Sequence, residues 1–189
     1  MARQVLERIV REALVELARY HRCVVAAPAG LKAPRKNTSA AWTKAELDFF
    51  KLRLDGSGLD VRREHKARMR LPPDLVAFNR GRLVLHLERE TRGWEWNDVI
   101  GGLVKMFLVP QKPAPISVLV LAGVRGEPQE RLDLILLLAR KLLAAARGVR
   151  CLYLALWMGK QWENAAVLKL SLPPRKGGKV NVRELVAME

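Results

Sequence analysis

From Pro72 to Trp157 the sequence alternates between short apolar runs bounded by turn residues and longer runs with helical spacing, and few architectures accommodate that order. Pro72 to Phe78 and Arg82 to Glu90 read as two strands joined by Asn79, Arg80 and Gly81. A glycine at the third position of a three-residue loop supplies the left-handed conformation such hairpins favour. Trp94 to Leu108 then has helical spacing, and Ile116 to Ala122, apolar but for Ser117, reads as a buried strand. Pro128 to Arg147 is a long apolar helix, and Cys151 to Trp157 is a second apolar strand. Strands that are apolar on every residue are buried on both faces, and the helices between them supply the cover. The order predicts an α/β fold with a central mixed β-sheet flanked by helices.

The flanking segments extend this picture. Val5, Leu6, Ile9, Val10, Leu14 and Leu17 recur at helical spacing, so the chain opens with an amphipathic helix. A short strand is expected near Cys23 to Ala27 and a basic loop over 28–39. Thr43 and Glu46 read as the capping box that starts a second helix, which ends at Asp55 to Gly58. Leu59 to Arg70 suggests an exposed strand with a basic face. Near the C-terminus, Ala165 to Leu172 reads as an outer strand, 173–180 as a basic loop, and Asn181 as the cap of a short last helix. The chain has 189 residues, is 50% hydrophobic, and shows neither an internal repeat nor a linker-like stretch, so 1–189 is read as a single domain.

Lys and Arg number 34 against 19 Asp and Glu, a net charge of +15. Such a surplus repels itself, and a polyanion offsets it, with phosphate contacts releasing condensed counterions. Nucleic acid is therefore the expected partner. A membrane surface fits less well, because a membrane-lying protein gathers its cations on one amphipathic helix and here they are spread over many segments. The most apolar stretch, Leu132 to Ala146, is broken by Asp133, Arg140 and Lys141, and the N-terminus runs straight into a charged amphipathic pattern. Neither a membrane span nor a signal peptide is expected. Cys23 and Cys151 lie far apart with no ligand-type spacing to His21, His65 or His86, which argues against a zinc cluster or disulfide scaffold and for a reducing cytoplasmic setting. Few Asn and Gln beside abundant Arg, Leu and Pro suit a thermophile. Candidate phosphate contacts are Lys32, Arg35 and Lys36; Arg62, Arg63, Lys66 and Arg68; and Arg175, Lys176 and Lys179, although each run taken singly also reads as ordinary solvated surface.

On the second strand of the hairpin, Leu83, Leu85, Leu87 and Arg89 point one way and Val84, His86, Glu88 and Glu90 the other, with the leucines facing the core. With a loop at 79–81, Phe78 pairs with Arg82 and Asp74 falls opposite His86, so Asp74, Glu88 and Glu90 converge at one end of the hairpin. Carboxylates gathered in this way repel one another, and a hard divalent cation, Mg²⁺ or Mn²⁺ in its place, neutralises them. The opposing reading makes Glu88 and Glu90 exposed strand-end acids paired with neighbouring arginines. His86 reads as a strand residue packed beside the site, and Trp94 and Trp96 as packing anchors.

Pro73 and Asp74, then a turn, then an apolar strand ending in Glu88-x-Glu90, together resemble the signature of the PD-(D/E)xK nuclease superfamily. The similarity spans Asp74 to about Ala122, and the preceding helix fits the family's order. The resemblance implies a restriction-endonuclease-like fold and a metal-dependent DNA endonuclease, with Asp74 and Glu88 as metal ligands and Asp74, Glu88 and Glu90 as the catalytic set. The family's third position is usually Lys. Glu90 stands there instead, an E-x-E variant shared by some restriction endonucleases of the family, and the usual ammonium that orients the attacking water is missing. Lys105 on the next helix is the candidate to supply that charge, and Glu12 or Glu7 on the first helix to complete the acidic cluster. Double-stranded DNA is the implied substrate, and a homodimer is the simplest way to cut both strands. Two alternatives stay open: a non-catalytic nucleic-acid-binding protein on the same scaffold, and an RNA-binding or ribosome-associated module, which the charge favours and the acidic hairpin does not.

Overall fold

A computed structural model describes residues 3–63, 74–90, 96–107, 114–124, 128–145, 148–158, 164–171 and 179–187. In chain order these form α1 (Arg3–His21), α2 (Ser39–Asp55), β1 (Asp60–Arg63), β2 (Leu75–Asn79), β3 (Arg82–Glu90), α3 (Trp96–Phe107), β4 (Ile116–Val124), α4 (Pro128–Ala145), β5 (Cys151–Met158), β6 (Asn164–Ser171) and β7 (Asn181–Val186). Among the described residues, seven strands lie side by side in chain order as one sheet. The sheet is mixed, as the sequence predicts. β3, β4 and β5 run parallel at its centre, and antiparallel meanders extend it on both sides. Parallel neighbours need a crossover, and α3 and α4 provide the two.

Strand residues alternate between two cores. Leu85, Leu87, Val118, Val120, Tyr153 and Trp157 pack with α1 and α2. Leu119, Leu121, Leu152, Leu154 and Leu156 pack with α3 and α4 on the other face. Because β4 and β5 bury both faces, their sequences are apolar almost throughout, with Ser117 the buried polar exception on β4. Among the described residues no helix is long and apolar enough to cross a membrane.

Four local expectations are corrected. Cys23 to Ala27 is not a strand: Cys23 takes a left-handed φ of 57°, and the amides of Cys23 and Val24 bond back to the carbonyls of Tyr20 and Arg19, so the segment is the turn that closes α1. α2 starts before Thr43. Its N-cap is Thr38, whose side chain accepts from the Ala41 amide, and the Thr43 hydroxyl donates to the Ser39 carbonyl inside the helix. The segment at Asn181 is a strand and not a helix: it pairs antiparallel with β6, which becomes an interior strand, and Val182 and Leu185 pack on opposite faces. The hairpin loop has two residues, with Asn79 paired to Arg82 and both Arg80 (φ 49°) and Gly81 (φ 73°) left-handed, as a type I′ turn requires. β1 confirms a strand at Asp60–Arg63, and the rest of the expected basic strand lies outside the described residues.

Candidate active site

β3 is the seam of the sheet, antiparallel to β2 and parallel to β4. Its carboxyl end therefore lies between the start of β2 and the carboxyl end of β4. In open α/β sheets, ligands bind in the crevice outside strand carboxyl ends. The register shifts between Ala77 and Phe78, so Leu75 pairs with Leu87 and Asp74, one residue earlier, falls opposite Glu88. The expected partner was His86. The two-residue turn and this irregularity each shift the register by one residue, and together they move Asp74 along β3 by one same-face position and set two carboxylates against each other.

Asp74 Oδ2 accepts a hydrogen bond from the Arg89 amide at 2.7 Å. Glu88 is fully buried and its oxygens are divided between two partners: His86 Nε2 lies 2.7 Å from Oε1, and Lys105 Nζ donates to Oε2 at 3.2 Å. The same ammonium stands 3.6 Å from Glu90 Oε1. Lys105 reaches both acids because α3 sits close over the strand ends. A Cβ on Gly102 would come within 2.9 Å of Leu119 Cδ1 and 3.6 Å of Glu90 Oε1, and Lys105 follows three residues later on the same helix face. His86 and Ser117 are neighbours across β3 and β4 on this side. Among the described residues, the buried His86 Nδ1 and Ser117 Oγ have no hydrogen-bond partner, so a polar strip runs inward from Glu88.

Electrostatics separate the acids from the base. Burial pushes the Asp74 carboxyl above its ordinary range and the charge on Glu88 pushes it further, against the Arg89 amide bond and the charges of Lys105 and Arg89. Burial disfavours the Lys105 ammonium, but Glu88 and Glu90, with Asp74 behind them, outweigh it and hold the pKa above the usual lysine value. Lys105 is thus a firm cation, while Asp74 resists ionising.

The expected convergence of three carboxylates is realised as a facing pair, Asp74 and Glu88, joined to Glu90 through Lys105. Among the described residues no group of three or more His, Cys, Asp or Glu side chains is arranged to hold a metal ion. The reading of Glu88 and Glu90 as exposed acids paired with arginines does not hold for Glu88, which is buried with a histidine and a lysine. The first-helix acids are not brought in: α1 packs on the opposite face, where Glu7 pairs with Arg3 and Lys169 and Glu12 is exposed beside Arg11.

Of the candidate phosphate contacts, Lys32, Arg35, Lys36 and Lys179 are exposed. Arg62 is exposed on β1 but is gripped by Asp60, and Arg63 pairs with Asp48. Lys66, Arg68, Arg175 and Lys176 lie outside the described residues, as does Trp94.

The sequence reading missed the cluster behind the site. Glu46, on α2, is buried, with Arg89 Nε donating to its Oε2 at 2.6 Å, Trp157 Nε1 donating to the same oxygen at 3.2 Å, and His21 Nε2 3.0 Å from Oε1. Its sign was present: Arg89 shares the leucine side of β3, and Glu46 lies three and four residues before the buried Phe49 and Phe50. Opposite charges on two core-facing surfaces have to meet. No protein-family model matches the chain, and no curated protein or solved structure matches it.

Proposed function

We propose that this chain is a metal-dependent endonuclease hydrolysing DNA phosphodiester bonds, on a restriction-endonuclease-like scaffold of the PD-(D/E)xK kind. One observation carries the reading: the ammonium of Lys105 lies 3.2 Å from Glu88 and 3.6 Å from Glu90. The charge missing from the third motif position is thereby returned from α3 to the same carboxylates. The hairpin, crossover helix and parallel strand that follow one another through β2, β3, α3 and β4 support the scaffold assignment.

The residues fit a hard divalent ion. Mg²⁺ is commonly held by one or two protein carboxylates, with water and substrate phosphate completing its shell. Asp74 and Glu88 are such a pair, and the upward push on Asp74 from the Glu88 charge marks a repulsion that a cation would relieve. When bound, Mg²⁺ or Mn²⁺ would acidify a water and stabilise charge on the departing oxygen. The chain's own groups have separate tasks. Asp74 must be deprotonated to act as a ligand; His86 orients the Glu88 carboxylate; Lys105 neutralises the acids and can orient the attacking water beside Glu90. Lys32, Arg35, Lys36 and Lys179 provide exposed positive charge for the phosphate backbone of duplex DNA. A cytoplasmic setting and a two-fold pair of chains belong to the same proposal.

A second reading, nucleic-acid binding without cleavage, is favoured by the double engagement of Glu88 by His86 and Lys105. Incubation of purified protein with supercoiled plasmid and Mg²⁺ or Mn²⁺ separates the two. The nuclease reading expects nicking or linearisation that Asp74→Ala and Glu88→Ala each abolish while DNA affinity persists. Tight binding with intact plasmid in both metals supports the second reading, and wild-type rates in either variant refute the site.

A further inference from the structure

On a strand, one residue can serve two partners, because its side chain leaves the sheet on one face while its amide lies in the sheet plane. Arg89 does so at the end of β3. Its guanidinium is buried on the α1–α2 side, where it donates to Glu46 and to the Thr43 hydroxyl. Its amide donates to Asp74 Oδ2. This last bond lies beyond the final β2–β3 pair, Leu75 with Leu87, so on the β2 side the Arg89 backbone is held by the Asp74 carboxylate, while on its other side pairing with β4 continues to Glu90.

We infer that Glu46 is a positioning residue for the candidate site, acting through Arg89 from the far side of the sheet. By gripping the guanidinium, Glu46 adds to the β4 pairing in setting where the Arg89 amide stands on its β2 side, and with it the orientation of Asp74. Glu88 and Glu90 flank Arg89 in sequence, so the same grip sets their placement under Lys105. Glu46 is itself fixed by Trp157 Nε1 on β5 and by His21 at the end of α1. A buried ion pair is a weak source of stability compared with apolar residues of the same volume, and its best-attested use is to specify one arrangement. The catalytic consequence rests on the nuclease reading, whereas the effect on the Arg89 amide does not.

The test uses the full chain and reads amide hydrogen exchange by NMR together with plasmid cleavage, comparing wild type with Glu46→Gln and Glu46→Asp. Glu46→Gln is expected to speed exchange of the Arg89 amide relative to Leu87 and Val120. It should also lower kcat by roughly 10- to 100-fold, the cost usual for losing a partner that orients a metal ligand, with KM for DNA nearly unchanged. Glu46→Asp, which keeps the charge, should recover part of both. If Glu46→Gln fails to fold, Thr43→Val removes only the hydroxyl beside Arg89 and should give a smaller change in the same direction. Unaltered Arg89 exchange overturns the inference whether or not the protein cuts DNA, and so does a loss of protection spread evenly over the sheet. Wild-type protein that binds DNA and never cuts it defeats the nuclease reading alone, since the exchange measurement still decides the role of Glu46.

Discussion

Glu88 and Arg89 are consecutive residues of one strand, yet they face layers of opposite electrostatic character. Toward α1 and α2, Arg89 meets a buried carboxylate. Burial alone pushes Glu46 up, but the charges and hydrogen bonds of Arg89 and His21 outweigh it and hold it at about 2. Toward α3, Asp74 lies opposite Glu88, whose carboxylate Lys105 holds, and Asp74 is raised by burial and by its neighbour's charge. The first face settles its charges internally. The second keeps a repulsion between two acids that a bound cation would remove, as the proposed metal site requires.

The largest effect that would sharpen this contrast is Glu46→Ala. It leaves the Arg89 charge buried without its carboxylate and should destabilise the protein by about 3–5 kcal/mol in urea unfolding. A loss below about 1 kcal/mol, the range of exposed pairs, would break the comparison.

The pH dependence comes next, and the two faces should differ in sign. Glu46 has a folded pKa of about 2 against an ordinary 4.5, so its contribution is fully present above 4.5 and is lost as pH falls toward 2. The shift corresponds to about 3 kcal/mol, and Glu46→Gln should flatten the acid limb of the stability curve accordingly. Asp74 has a folded pKa above its ordinary 3.8, so its ionisation costs stability as pH rises through the interval between the two values. At neutral pH, Asp74→Asn should therefore leave stability unchanged or raise it, while cleavage is lost. Between these in size is Gly102→Ala, whose Cβ meets the buried Leu119 side chain at 2.9 Å, a repacking cost of about 1–3 kcal/mol set against about 1 kcal/mol of regained helix propensity, with Lys105 drawn away from Glu90. A thermal stability raised by the full ~1 kcal/mol of helix propensity that alanine brings would contradict the close seating of α3.

How much of this was legible in the sequence depended on how local the determinant is. β4, β5, α3 and α4 could be read because burial on two faces, or on one helical face, writes itself as an apolar run or a helical period. Lys105 was legible because its helix had to follow the hairpin. β7 was not: 181–186 is weakly patterned, and pairing with β6 decides its form. On β3 the faces of Leu85, Leu87 and Arg89 and of His86 and Glu88 were read correctly, but Val84, expected on the opposite face, packs at the irregularity with Leu85 and Leu87, and the register was not read. A two-residue turn with Arg80 left-handed and an irregularity at Ala77/Phe78 leave no compositional mark, and together they move Asp74 from His86 to Glu88. Thr43 and Glu46 match the spacing of a capping box, and tertiary structure claims both for Arg89 instead.

Titration of the purified chain with Mn²⁺, followed by electron paramagnetic resonance, tests most directly whether the α3-side carboxylates form a cation site. The wild type should bind Mn²⁺, Mg²⁺ should compete, and Asp74→Ala and Glu88→Ala should each weaken binding by at least about 100-fold, more than loss of an outer partner costs. Equal Mn²⁺ affinity in wild type and both variants, or no binding in any of them, would contradict the account.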